Sequence, residues 1–183
     1  MANHMIMGDC DLKDLLKSNK LIVDPLSDDS IQQNGIDFKI GNEIAECRPT
    51  NKNEVMDSTS NDEIRKFYHS IEADNGYFVF SPLHHYLLLT KEKVKMPLDI
   101  MGFCALRSTF ARLGFVSPLT VIDAGFEGTL TIGVLYAGNI SIKVPVGCRF
   151  LHIVFGQLKT EVDLPYQGYY KMQKGISIPK SVI

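Results

Sequence analysis

Between Tyr77 and Phe155 the chain runs as one short apolar segment after another, and this recurrence constrains the fold more than any other feature. Segments 77–80, 86–90, 100–106, 129–136, 140–144 and 149–155 are rich in aliphatic, β-branched and aromatic residues at strand length and spacing. Ala137-Gly138-Asn139 separates two of these runs and predicts a hairpin, and Pro145-Val146-Gly147 predicts another for the next pair. Only 108–113 interrupts with helix-forming residues. Many short strands with little helix predict a mainly-β chain, a sandwich or barrel rather than an alternating βαβ sheet.

Upstream the pattern is mixed. Asp9 is placed to cap a short helix whose Leu12, Leu15 and Leu16 form an i, i+3, i+4 stripe that stops near Asn19. Asn34-Gly35 then reads as a turn, and Ile36, Phe38 and Ile40 alternate with Asp37 and Lys39 as in a half-buried strand. Segment 50–75 is polar and poor in core-forming residues, which predicts an insertion or long loop with one helical turn around 64–68. A chain of 183 residues suits one domain, 1–183. Met1, Met5 and Met7 leave more than one candidate start.

Charge and cysteine usage exclude several classes of partner. Nineteen basic and 21 acidic side chains give a net charge of -2, so there is no global field for nucleic acid or an anionic membrane, and any bound anion must be held locally. The four cysteines, Cys10, Cys47, Cys104 and Cys148, form no CxxC pair, and no leader-like run precedes them, which predicts a reduced, cytoplasmic setting. The longest apolar stretch, 77–89, is broken by Ser81, Pro82, His84 and His85, short of the roughly 20 apolar residues that span a bilayer. There is no Walker loop, GxGxxG or HExxH. His84 and His85 are adjacent, so on a strand they face opposite sides, while His4, His69 and His152 are isolated. Surface or core roles are expected for all of them.

Three segments combine groups suited to chemistry. In Leu106-Arg107-Ser108-Thr109-Phe110-Ala111-Arg112-Leu113-Gly114 a strand feeds a helical turn, where free backbone N–H groups, two arginines and hydroxyls suit phosphates. An ordinary capped helix with surface arginines fits the same residues. Val121-Ile122-Asp123-Ala124-Gly125-Phe126-Glu127-Gly128 sets an acid and an aromatic among glycines that permit close approach to a ligand, or else forms a polar hairpin tip. Pro165-Tyr166-Gln167-Gly168-Tyr169-Tyr170-Lys171-Met172-Gln173-Lys174-Gly175 has the make-up of an arm closing over a ligand, or of a tail packed on a neighbour.

Taken in order, these segments resemble the dCTP deaminase and dUTP pyrophosphatase family, most closely its archaeal-type members. Asn34-Gly35-Ile36-Asp37-Phe38 with Gly41-Asn42-Glu43 is similar to the family's first motif, and Arg107 to Gly114 to its second. Ile122 to Gly128 resembles the third, Gly147-Cys148-Arg149 through Phe155 the fourth, and Tyr166 with Gln173-Lys174-Gly175 the closing arm, here 163–183. The resemblance implies a distorted β-barrel assembled as a homotrimer, with sites at subunit interfaces and a deoxynucleoside triphosphate carrying Mg²⁺. Arg107, Ser108 and Arg112 would contact phosphates, with Thr109 also in the substrate site, and Asp123 would stand beside the sugar and a water. Phe126 would stack under the deoxyribose, and the backbone of Thr131, Ile132 and Gly133 would read the pyrimidine. Tyr166 and Gln173 would close over the phosphates, and Lys171 is a further substrate-binding candidate on the arm.

Position 133 separates the two activities within that resemblance. Family deaminases carry there a glutamate that shuttles protons during attack on cytosine. Gly133 has no proton to give, and Glu127 lies too near Asp123 to replace it. Pyrophosphatases need only an aspartate to activate water, with Mg²⁺ and arginine neutralising the leaving group. The expectation is therefore a dUTP pyrophosphatase, with no protein metal ligands. The alternatives are a dCTP deaminase, a bifunctional enzyme, or a catalytically silent nucleotide-binding homologue. Tyr169 stands where relatives often have a phosphate-binding lysine, and His152 where many pyrophosphatases have glutamine.

Overall fold

The computed structural model describes residues 6–183, so Met1, His4 and Met5 lie outside the described residues. In chain order the elements are α1 (Asp9–Lys17), β1 (Ile22–Asp24), β2 (Ile31–Gln32), β3 (Gly35–Cys47), α2 (Asn61–Lys66), β4 (Tyr68–Ile71), β5 (Tyr77–Phe80), β6 (His84–Lys95), β7 (Ile100–Leu106), α3 (Ser108–Arg112), β8 (Phe115–Val116), β9 (Thr120–Ile122), β10 (Glu127–Tyr136), β11 (Ile142–Pro145) and β12 (Arg149–Gln157). The chain is mainly β, a curled half-barrel sheet with a few short helices. No helix among the described residues is long and apolar enough to cross a membrane.

In α1 the predicted stripe turns inward: Leu12 is fully buried, and Leu15 and Leu16 pack against the core. The cap is Gly8 rather than Asp9, because the Gly8 N–H donates to the Asp11 carboxylate at 3.0 Å. Asp9 instead sits in the first turn and pairs with Lys13 at 2.5 Å, where a negative charge suits the helix N-terminus. Segment 50–75 contains the predicted helical turn as α2, held by the Ser60 cap, but its second half is strand β4, paired with the end of β3.

The main sheet follows the order β8-β10-β6-β3-β12-β7-β9. Strand β3 joins its two halves. Its first residues pair with β12, its last with β6 and β4, and a register shift between Ile40 and Ile44 marks the bend. The turn before it is Gln33-Asn34, one residue earlier than the sequence indicated, since Gly35 is already paired with Gln32. Neither predicted hairpin forms. Ala137-Gly138-Asn139 leads from β10 in the main sheet to β11, whose partner is β5, and 145–147 returns the chain to β12 between β3 and β7. These turn residues carry the chain from one sheet to another, which local turn chemistry cannot distinguish from a hairpin.

The core between the sheets is aromatic and aliphatic: Phe38, Phe78, Phe80, Tyr86, Phe115, Phe150 and Phe155 are all fully buried. Two polar side chains of β6 lie among them. Thr90 donates to the Glu92 carbonyl and accepts from the Leu130 N–H at 2.9 Å, at the point where β10 bulges between Thr129 and Thr131. Glu92 Oε2 accepts from the Lys39 N–H at 2.8 Å, next to the bend of β3. A bulge leaves backbone groups without a ladder partner, and side chains of the central strand supply the missing partners at both places.

The second oxygen of Glu92 is buried without a hydrogen-bond partner, and burial raises this carboxyl above its ordinary value of 4.5. The folded chain therefore holds this proton in a window where the unfolded chain has lost it. Stability contributed by Glu92 is greatest below the ordinary value and falls as pH rises through the raised one. Glu92→Gln keeps an acceptor for Lys39 and removes the titration. Denaturant midpoints over a pH series across that window should decline less steeply for the variant, and identical slopes would exclude this account of Glu92.

Candidate active site

The glycine-flanked acid segment, the bulged strand β10 and the C-terminal segment enclose one cavity of about 370 Å³. Asp123, Phe126, Thr129, Thr131, Ile132, Tyr166 and Gln173 line it, together with Leu87, Cys104 and Tyr170. Asp123 follows β9 directly, at the start of a turn in which the Phe126 N–H donates to the Asp123 carbonyl at 3.1 Å. Gly125 takes φ of +77° there, and a Cβ at this position would fall 2.5 Å from that of Pro165, so both the backbone angle and the arm require glycine. The Asp123 side chain is exposed at the cavity and, among the described residues, forms no ion pair.

Phe126 is buried, with the Tyr166 ring 5.5 Å away and tilted by 60°. Strand β10 bulges between Thr129 and Thr131, and next to the bulge it pairs with the C-terminal segment. The Thr129 N–H donates to the Gln173 carbonyl at 2.9 Å, and the Met172 N–H donates to the Glu127 carbonyl at 2.6 Å. The Gln173 side-chain amide donates to Thr131 Oγ1 at 2.5 Å, and the Ser177 N–H reaches the same oxygen at 3.1 Å. The segment continues past β3, where the Ile176 N–H meets Glu43. Beyond that, the Ser181 N–H donates to Asn61 at 2.8 Å and the Val182 N–H to the Ser58 carbonyl at 3.0 Å. Residues 166–182 thus lie across the cavity and end on segment 50–75. Gln173 meets the strand wall of the cavity, and Lys171 is turned aside to Gln167 at 3.3 Å.

Glu127 and Cys104, two ionisable groups at or beside the cavity, are unsuited to proton transfer. Glu127 is clamped by Lys93 at 2.5 Å and Lys95 at 3.9 Å, and the Lys93 hydrogen bond holds its carboxyl below the usual glutamate value. Burial pushes the Cys104 thiol up to about 12, so it stays protonated.

The phosphate-type segment lies apart from this cavity. Ser108, Thr109 and Arg112 are exposed on α3, while Phe110 anchors the helix against Phe115 and Phe150. Arg107 is engaged behind them. Its Nε lies 3.1 Å from Asp37 Oδ2, which also has Arg149 at 3.5 Å, and His152 Nδ1 bonds the other oxygen at 2.8 Å. Asp37 is 1% exposed, so its place on the open side of a half-buried strand is corrected. It pairs across to β12 and is covered by the cations it gathers. Arg149 and this cluster were not predicted as site residues. Alternation along β3 points only to a solvent-facing acid.

A family model described as dCTP deaminase-like matches residues 6–158, most of the chain. The chain belongs to the dCTP deaminase-like family. It is 43% identical over 176 residues, 96% of this chain and 99% of the other, to a probable deoxyuridine 5'-triphosphate nucleotidohydrolase of Sulfolobus islandicus rod-shaped virus 1. It is likewise 43% identical over 176 residues, 96% of this chain and 98% of the other, to a dCTP deaminase of Acidianus ambivalens. The solved 2'-deoxycytidine 5'-triphosphate deaminase from Agrobacterium tumefaciens shares its fold, with a TM-score of 0.67 and 20% identity over 85% of this chain. This chain spans about half of that one, 49%. The relatives of this dCTP deaminase-like chain therefore carry both names, dCTP deaminase and probable deoxyuridine 5'-triphosphate nucleotidohydrolase.

In this dCTP deaminase-like fold Asp37 ties β3 to the start of α3 through Arg107 and to β12 through Arg149 and His152. Asp37→Asn would leave the Arg107 guanidinium without its counter-charge, whereas Arg149 would keep Asp29 at 3.7 Å. The expected cost is about 2 kcal/mol, less than the ~3–5 for a fully buried pair because the arginine side chains keep 31% and 29% exposure. A denaturant midpoint equal to that of the unaltered protein would remove Asp37 from this structural role.

Proposed function

We propose that the chain is a dUTP pyrophosphatase that converts dUTP and water to dUMP and pyrophosphate. The observation that carries this reading is an unpaired Asp123 at a cavity whose bulged strand offers no proton-transfer side chain at Gly133. Deamination needs protons delivered to the base, and Glu127, held as a carboxylate by two lysines, is unsuited to deliver them. Hydrolysis at phosphorus needs only a positioned base and charge neutralisation.

In this reading the pyrimidine lies along the backbone of Thr131, Ile132 and Gly133, and the deoxyribose rests on Phe126, which leaves no room for a 2′-hydroxyl. Asp123 accepts a proton from a water as its oxygen bonds the α-phosphorus, and the bond from that phosphorus to the bridging oxygen of the leaving pyrophosphate breaks. Tyr166, Lys171 and Gln173 belong to the arm that excludes bulk water. A Mg²⁺ ion carried by the triphosphate and water would spread the charge of the leaving group.

Arg107, Ser108, Thr109 and Arg112 do not line the cavity of their own chain, so in this reading a second copy supplies them, as a homotrimer would. Exposed Val116, Leu119, Val121 and Leu135 near the cavity-bearing strands support such a contact.

Product analysis on dUTP, dCTP and dTTP with Mg²⁺ tests the proposal. Pyrophosphate and dUMP should form from dUTP, and a uracil nucleotide formed from dCTP would overturn it. Asp123→Asn should lower dUTP turnover roughly a hundred- to ten-thousand-fold while calorimetry still detects binding. Tight binding of dUTP by the unaltered protein without pyrophosphate release would make it a silent nucleotide binder instead.

A further inference from the structure

Next to the cavity, strand β10 has a notch. Gly133 lies on the same face as Thr131, and its cross-strand partner is Leu87, both of which line the cavity. A Cβ on Gly133 would meet His85 Nε2 at 3.2 Å and Leu87 Cδ2 at 3.9 Å. The imidazole of His85 therefore leans from its own register position, opposite Leu135, into the side-chain space at 133. Its neighbour His84 faces the other way and bonds Glu46 at 2.5 Å.

The surroundings of His85 are suited to recognition rather than to charge. Tyr68 meets its ring edge-on at 6.4 Å, Cys47 is its cross-strand partner on β3, and among the described residues it forms no ion pair. Burial lowers its pKa below the ordinary 6.5, so near neutral pH the ring is uncharged, with one N–H donor and one bare nitrogen acceptor. The Gly133 carbonyl is already taken by the Ser117 hydroxyl at 2.9 Å, and the nearest atom to the empty side-chain position at 133 is the imidazole Nε2.

We propose that His85 is a specificity-determining residue of this cavity, filling the space left at Gly133 and presenting a ring nitrogen to the distal edge of a bound pyrimidine. This inference rests on the reading of the cavity as a pyrimidine deoxynucleotide site. It assigns to β6 a base contact that β10 gives up at 133. A glycine there is not a loosened pocket but half of a pair, since a larger side chain would compete with the imidazole for one volume.

The test uses the full chain with His85→Leu, which fills the notch without a nitrogen, and His85→Gln, which restores a hydrogen-bonding group. KM and kcat for dUTP, inhibition of dUTP turnover by dCTP and dTTP, and product identity are measured for each. His85→Leu should raise KM for dUTP roughly tenfold with a smaller change in kcat, the loss expected for one hydrogen bond in a buried site. The preference for dUTP over dCTP should fall by a similar factor, and His85→Gln should recover part of it. An active protein whose KM and base preference are unchanged in His85→Leu would overturn the proposal and leave the proposed function standing. A uracil nucleotide made from dCTP by the unaltered protein and lost in His85→Leu would also overturn it, because the imidazole would then be moving protons. An unaltered protein that neither binds nor turns over a pyrimidine deoxynucleotide would remove both readings together.

Discussion

Strand β6 holds the fold together through two buried polar side chains as much as through its apolar ones. A sheet that curls into a half-barrel must break register somewhere, and each break strands backbone donors in the interior. Thr90 and Glu92, two residues apart on one face of the central strand, take up those donors on opposite neighbours, Leu130 in β10 and Lys39 in β3. With apolar residues in their place the breaks would leave unsatisfied N–H groups in the core, at a cost of about 1–3 kcal/mol each. The curl of the sheet and the composition of β6 are therefore one constraint.

That constraint reaches the cavity. The bulge served by Thr90 lies next to Thr129, which keeps its place opposite Lys93 while its N–H donates to the Gln173 carbonyl of the C-terminal segment. The bend served by Glu92 follows Asp37 along β3, and Asp37 is met there by Arg107 at the end of β7 and by Arg149 of β12. Each polar residue of β6 thus stands near one of the regions that the sequence links to nucleotide chemistry.

Much of the fold was legible from residue patterns. Strands 77–80 and 100–106 fall on the apolar segments read as strands, and α3 opens at Ser108. Of the residues singled out in the sequence, Asp123, Phe126, Thr131, Tyr166 and Gln173 line one cavity, while Arg107, Ser108, Thr109 and Arg112 lie outside it. The failures share a physical origin. Pro145-Val146-Gly147 has the chemistry of a hairpin turn, but whether the next strand pairs with its predecessor is decided by core packing far away in sequence. Asp37 alternates with Ile36 and Phe38 as a solvent-facing acid would, and only the cations brought by β7 and β12 show it to be interior. His85 carries no local signal, because its environment is defined by a glycine on another strand.

The C-terminal segment has a consequence for how the molecule folds. The cavity's wall comes from residues 120–132, but its cover comes from residues 166–179, anchored in turn on a stretch between Ser58 and Asn61. Closing the recess therefore joins parts of the chain that are far apart in sequence, because the cover has to fold back onto the stretch that holds Ser58 and Asn61 and gains nothing from local contacts alone.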